Sequence, residues 1–129
     1  MNIVLVDSGQ LEEAPEFPPI NLPKFAWLEY VELAAEEIEE RCWRADVIIS
    51  TNTPIDAKTI KNSYKLKLII AAGENIDHID VAAAKKRDIM VCNVPSLTAN
   101  NVKDSQTIAN KVVDNIHAWL NQQPINIIN

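Results

Sequence analysis

A single α/β domain built on a parallel sheet is predicted by three features of the sequence. Short continuous apolar runs such as Ile3-Val4-Leu5-Val6 and Val47-Ile48-Ile49 lack the polar–apolar alternation of a half-wet strand, so they read as strands covered on both faces. These runs alternate at short intervals with segments of helical periodicity. The 129 residues, 47% of them hydrophobic, suffice to bury one core of this kind.

The elements follow in chain order. Ile3 to Val6 is the first strand and leaves into Asp7-Ser8-Gly9. Between Leu11 and Lys24, Pro15, Pro18, Pro19 and Pro23 exclude regular helix and predict an extended surface loop. Trp27-Leu28-Glu29-Tyr30-Val31 is rich in aromatic and β-branched side chains, which predicts a second strand at a sheet edge. From Ala34 to Arg44, Ala35, Ile38, Cys42 and Ala45 recur at helical spacing, while Glu36, Glu37, Glu39 and Glu40 form a solvated face. Asp46 to Ser50 is the third strand, a short helix starts near Asp56, and Leu66 to Ala71 is the fourth strand. A helix from near Ile79 to Arg87 leads into Met90-Val91-Cys92-Asn93-Val94 as the fifth. The last helix, from near Asp104 to Asn121, places Ile108, Val112, Ile116, Trp119 and Leu120 on one stripe for docking on the sheet. The tail from Pro124 to Asn129 is extended. Together these predict a three-layer, flavodoxin-like domain: a five-stranded parallel sheet with helices on both faces.

Composition excludes several functions. A net charge of -6 and a pI near 4.8 leave no basic stripe, so neither nucleic acid nor an acidic membrane surface is an expected partner. Met1 to Asp7 has no basic region, and its apolar run is far too short for a signal peptide or a membrane span, so a cytoplasmic location is expected. Cys42 and Cys92 match neither a Cys-x-x-Cys nor a zinc spacing and are expected as reduced, buried thiols. Gly9 and Gly73 are the only glycines, too few for a dinucleotide fingerprint, a P-loop or a flavin phosphate loop. Asp7 has no second acid at the end of the third strand, which is Ser50-Thr51, so no metal site is expected. His78 and His117 lie far apart without a nucleophile elbow and read as surface histidines. Trp27, Trp43 and Trp119 read as packing residues, Trp43 beside Arg41 and Arg44 being the best interface candidate.

Open α/β sheets bind ligands at the carboxyl ends of their strands, which directs attention to the loops after Val6, Ser50, Ala71 and Val94. In the loop after the third strand, Thr51 and Asn52 offer hydroxyl and amide groups to a ligand. The same residues equally lead, through Thr53-Pro54, to a helix capped by Asp56, and both readings stay open.

Three stretches carry a family resemblance: Ala45-Asp46-Val47-Ile48-Ile49, Ala72-Gly73-Glu74-Asn75-Ile76-Asp77-His78-Ile79-Asp80, and Cys92-Asn93-Val94-Pro95. Together they resemble the substrate-binding domain of D-isomer-specific 2-hydroxyacid dehydrogenases. The middle stretch is similar to the family pattern Ala-Gly-x-Gly-x-Asp-Asn/His-Ile-Asp, with Asn75 in place of the second glycine. The likeness runs from Met1 to near Val102; from near Lys103 the sequence instead resembles the family's C-terminal end. The resemblance therefore implies two segments, 1–102 and 103–129, joined, naturally or by engineering, where a cofactor domain would lie. Asn100 and Val102 would border the cofactor cleft in a complete enzyme and here begin the last helix.

The resemblance further implies a carboxylate-binding loop at Gly73, Glu74 and Asn75, where backbone N–H groups receive the substrate. Asn75 is expected to take the positive φ of the glycine it replaces, and Glu74 to set a negative charge near any bound acid. No catalytic, cofactor-binding or metal residue is implied, because the family's arginine, histidine and glutamate belong to its cofactor domain, as does its NAD or NADP. The expected function is an isolated substrate-binding domain that does not turn over alone and binds small 2-oxo or 2-hydroxy acids weakly. The alternative is a flavodoxin-like interaction or self-assembly module forming a homo-oligomer without small-molecule activity. A small enzyme of unrelated chemistry is disfavoured, since no nucleophile–base pair or metal cluster is visible.

Overall fold

A computed structural model describes residues 1–95 and 104–129. Five strands, β1 (Asn2–Leu5), β2 (Ala26–Glu29), β3 (Val47–Ser50), β4 (Leu68–Ala71) and β5 (Met90–Cys92), form one sheet in the order β2-β1-β3-β4-β5. Every pairing is parallel, as the unbroken apolar runs require, and the order is the flavodoxin-like one. β2 lies at the edge but stops at Glu29, because the chain leaving β1 folds over the next two residues. Ser8 N–H donates to Tyr30 O at 2.8 Å and Gly9 N–H to Val31 O at 3.0 Å.

That fold-over explains Gly9. A Cβ there would stand 2.9 Å from both Val31 O and Val31 Cγ1. We expect Gly9→Ala to lower stability by about 1–3 kcal/mol through overpacking against backbone, read as a lower urea midpoint at unchanged m. An unchanged midpoint would mean that the turn shifts freely.

The helices take both faces. α1 (Ala35–Cys42), α2 (Ala57–Asn62) and α3 (Val81–Lys86) bury Ile38, Cys42, Ile60 and Ala84 against Val4, Ile48, Ile69 and Val91. α4 (Ser105–Leu120) covers the other face, setting Val112, Val113 and Ile116 against Ile3, Leu5, Val47, Ile49, Leu68 and Ile70. The alternation of side chains along β1, β3 and β4 supplies both cores from the same four residues of each strand.

Helix ends are satisfied locally. The carboxylates of Asp56, Asp80 and Asp104 accept from the first-turn amides of α2, α3 and α4. At the other end, α3 and α4 both close with paired bonds characteristic of a left-handed cap: Ile89 N–H to Ala84 O with Asp88 N–H to Lys85 O, and Gln123 N–H to Ala118 O with Gln122 N–H to Trp119 O. Asp88 and Gln122 hold φ of 57° and 61° there, positions glycine usually fills.

The two sheet edges differ. Along β5 the C-terminal tail runs antiparallel: Ile128 N–H donates to Val91 O at 2.8 Å, and the Asn129 amide accepts from Val91 N–H and donates to Ile89 O. This covers ladder groups that would otherwise invite strand pairing. Along β2 no described residue pairs on the outer side. The expected segment junction near 102 and 103, with Asn100 and Val102, lies outside the described residues.

Candidate functional site

The carboxyl ends of β1, β3 and β4 converge, and Asp7 organises them. Only 1% exposed, its carboxylate accepts from the backbone N–H groups of Thr51, Asn52 and Thr53 at 2.9, 2.8 and 2.9 Å, and from Thr53 Oγ1 at 2.8 Å. The loop after β3 is thus an anion nest already filled by a side chain of the same chain. The backbone amides of Thr51 and Asn52 are therefore committed to Asp7, while the expectation for these residues concerned their side chains. What remains is the exposed Asn52 side chain and Thr51 Oγ1, which is buried without a partner among the described residues. The sequence signal for this was an aspartate leaving a fully buried strand with no cation nearby, since such a group must be satisfied by hydrogen bonds.

Ser50 joins this loop to the next. Its carbonyl accepts from Ala72 N–H at 3.0 Å and meets His78 Nε2 at 3.1 Å. A carbonyl partner makes Nε2 a donor, and Nδ1 is buried and unpartnered among the described residues. His78 is therefore half-buried and structural, not the surface histidine its isolation suggested. His117 differs again, its Nε2 accepting from Asn21 N–H at 2.9 Å and tying the proline-rich loop to α4.

Gly73, Glu74 and Asn75 form the loop after β4. Gly73 does not have positive φ, and a Cβ built on it meets nothing within 4 Å, so its bare face looks onto open space. Asn75 also lacks positive φ, contrary to the expectation. Its side chain shapes the turn instead, Oδ1 accepting from Asp77 N–H at 3.0 Å. The N–H groups of Gly73, Glu74, Asn75 and Ile76 donate to no other described residue. Glu74 is exposed, so its charge stands in solvent at the rim.

A chain of asparagines holds this loop from behind, and nothing in the sequence patterns pointed to it. Asn93 Nδ2 donates to Glu74 O at 3.1 Å, Asn115 Nδ2 to Asn93 O at 2.9 Å, and Asn126 Nδ2 to Asn115 Oδ1 at 2.9 Å. Asn115, 1% exposed, sits in α4 and Asn126 in the tail, so the C-terminal segment supports the loop as well as the sheet.

The family's nucleotide can be tested against the turn after β1, the turn that carries the pyrophosphate in doubly wound sheets of the Rossmann order. The fit fails: Ser8 and Gly9 spend their amides on Tyr30 and Val31, and the glycine face that would admit a phosphate is filled by Val31. Among the described residues no group of three or more His, Cys, Asp or Glu could hold a metal. No described helix is long and apolar enough to cross a membrane.

Cys42 and Cys92 are buried and unpaired, as expected. Burial pushes the Cys42 thiol up to about 12 and the Cys92 thiol up to about 11 from an ordinary 9.0. The folded chain thus keeps protons that the unfolded chain releases above pH 9.0, so this contribution to stability is complete below that value and is lost as pH climbs through 11 and 12. At neutral pH a thiol-specific disulfide reagent should label neither cysteine until denaturant is added. Stoichiometric labelling of the native chain would refute the burial.

Trp43, 42% exposed, stacks under the Arg44 guanidinium at 4.4 Å and faces the exposed Tyr64 at 6.0 Å, so it is a surface residue. Trp27 and Trp119 pack at the margin of the α4-side core.

A parallel sheet of flavodoxin-like order, with amides after β4 that have no partner among the described residues, defines a doubly wound α/β domain. Comparison with known proteins narrows this. Residues 21–129 match the model of the D-isomer specific 2-hydroxyacid dehydrogenase family, catalytic domain. A Haemophilus influenzae protein assigned to the 2-hydroxyacid dehydrogenases is 32% identical over 106 residues, covering 81% of this chain and 33% of that protein. The D-3-phosphoglycerate dehydrogenase of Methanocaldococcus jannaschii is 36% identical over 73 residues, 56% of this chain and 14% of the relative. Among solved structures, the NAD+-bound 3-phosphoglycerate dehydrogenase of Entamoeba histolytica superposes with a TM-score of 0.59 at 25% identity, over 72% of this chain and 32% of its own. The chain belongs to the D-isomer specific 2-hydroxyacid dehydrogenase family through its catalytic domain, and it spans about a third of the length of the Haemophilus relative.

Proposed function

We propose that this chain is the substrate-binding part of a D-2-hydroxyacid dehydrogenase, receiving the carboxylate of a small 2-oxo or 2-hydroxy acid at residues 73–76, in the cytoplasm. The observation that carries this reading is the run of four backbone N–H groups without described partners beside the open face of Gly73. Charge-assisted bonds from such amides favour a carboxylate, while Glu74 at the rim opposes it, so binding is weak. The chain does not turn over by itself. Hydride transfer needs NAD or NADP held against the substrate carbon, and the turn after β1 has neither the free amides nor the space for a pyrophosphate.

The test is an amide-resolved NMR titration with pyruvate and, in parallel, with methyl pyruvate, together with a measurement of NADH oxidation. Saturable shifts at Gly73 to Ile76 with the acid, absent with the ester and without NADH loss, are the expected result. Gly73→Ala should leave the unfolding midpoint unchanged, because its Cβ enters open space, and should abolish the shifts. Glu74→Gln should tighten binding several-fold. Turnover by the purified chain, or shifts elsewhere only, would sink the proposal.

A further inference from the structure

A groove of about 420 Å³ opens beside the β2 edge, away from the loops just described. It is lined by Phe17, Phe25 and Trp27 with Pro15, Pro18 and Pro19, and by two carboxylates, Glu16 and Glu29. No lysine, arginine or histidine lines it among the described residues.

The walls are fixed. Phe17 and Trp27 lie with ring centroids 5.0 Å apart, inclined by 42°, and both pack against the α4-side core. Trp27 Nε1–H donates to Glu29 Oε1 at 3.0 Å, which anchors that carboxylate at the groove. The Glu16 backbone is clamped from α4: its N–H donates to Gln106 Oε1 at 3.0 Å and its carbonyl accepts from Gln106 Nε2 at 2.6 Å. Asn21 N–H, bonded to His117 Nε2, fixes the far end of the same loop. A clamped loop costs little further ordering when a ligand enters.

Aromatic rings present a negative quadrupole, and carboxylates at the rim add full negative charge; the ligand matching both is an organic cation with an apolar shell. We propose that this groove is a binding site for a small quaternary or alkylated ammonium compound, held against the aromatic wall of Phe17, Phe25 and Trp27 and neutralised by Glu16 and Glu29. The volume lies within the range of small-molecule sites. The net charge of -6 draws cations towards the chain in general, and the aromatic lining selects those that shed water easily.

The experiment follows the indole Nε1–H resonance of Trp27, assigned with Trp27→Phe, during titration with choline. A parallel titration uses 3,3-dimethylbutan-1-ol, the neutral carbon isostere, at matched ionic strength. A saturable shift with choline at roughly millimolar affinity, and none with the alcohol, is the expected result. Glu16→Gln and Glu29→Gln, both exposed and outside the core, should each weaken choline about two- to fivefold and together remove saturation. Equal shifts with the alcohol, no saturable shift with either compound, or choline binding indifferent to both glutamates would each overturn the proposal. Failure here leaves the pyruvate titration untouched, since the two sites share no residue.

Discussion

Asp7→Ala should lower the unfolding free energy by roughly 3–5 kcal/mol, because it strips four donors of their shared acceptor in a buried setting. Among the described residues the three amides of Thr51, Asn52 and Thr53 have no other partner, and the side chain that satisfies them is only 1% exposed. Asp7→Asn preserves the volume but turns an NH2 group towards donors, so it should cost less than alanine and still more than a surface change. Urea denaturation of both variants measures this. A loss under about 1 kcal/mol for alanine would mean that water enters and takes over the amides. The same substitution should weaken acid binding at residues 73–76, since Ser50, at the head of the released loop, also bonds Ala72 and His78.

Ile116→Ala is expected to cost about 2–5 kcal/mol, the usual range for truncating a fully buried aliphatic side chain. Ile116 is wholly buried in the α4-side core, and α4 alone covers that face among the described helices. The local consequence is more specific than the lost stability. Asn115, its neighbour in α4, supports Asn93 and through it Glu74, so loosening α4 should broaden the amide resonances of the loop after β4. Relaxation dispersion, which measures conformational exchange at Glu74 to Asp77, reads this effect. Exchange there unchanged while the global midpoint falls would separate the loop from the helix and overturn the asparagine relay as its support.

Much of the fold was legible in local chemistry. The apolar runs at β1, β3 and β4 could only be doubly covered strands, and the stripe on α4 could only face a sheet. Asp56 stood where a helix cap belongs, and it caps. The glycine after β4 marked, through its family pattern, the loop proposed to receive the acid. Strand ends were less legible, as at β2, where the chain after β1 folded over Tyr30 and Val31 and ended the ladder early.

The site itself divides along the same line. By itself, the sequence determined the sheet class, its strand order, the position of the loop at Gly73, Glu74 and Asn75, and the family to which the chain belongs. These depend on periodicity and on short contiguous motifs. Only the tertiary structure decided that Asp7 occupies the amides of Thr51 and Asn52, that Asn75 shapes its turn through its side chain instead of a positive φ, and that Asn115 and Asn126 reach the loop from the C-terminal segment. Most of those contacts join residues 11 to 45 positions apart, and all of them place a polar group according to which partners its burial leaves within reach, a quantity that no local pattern encodes.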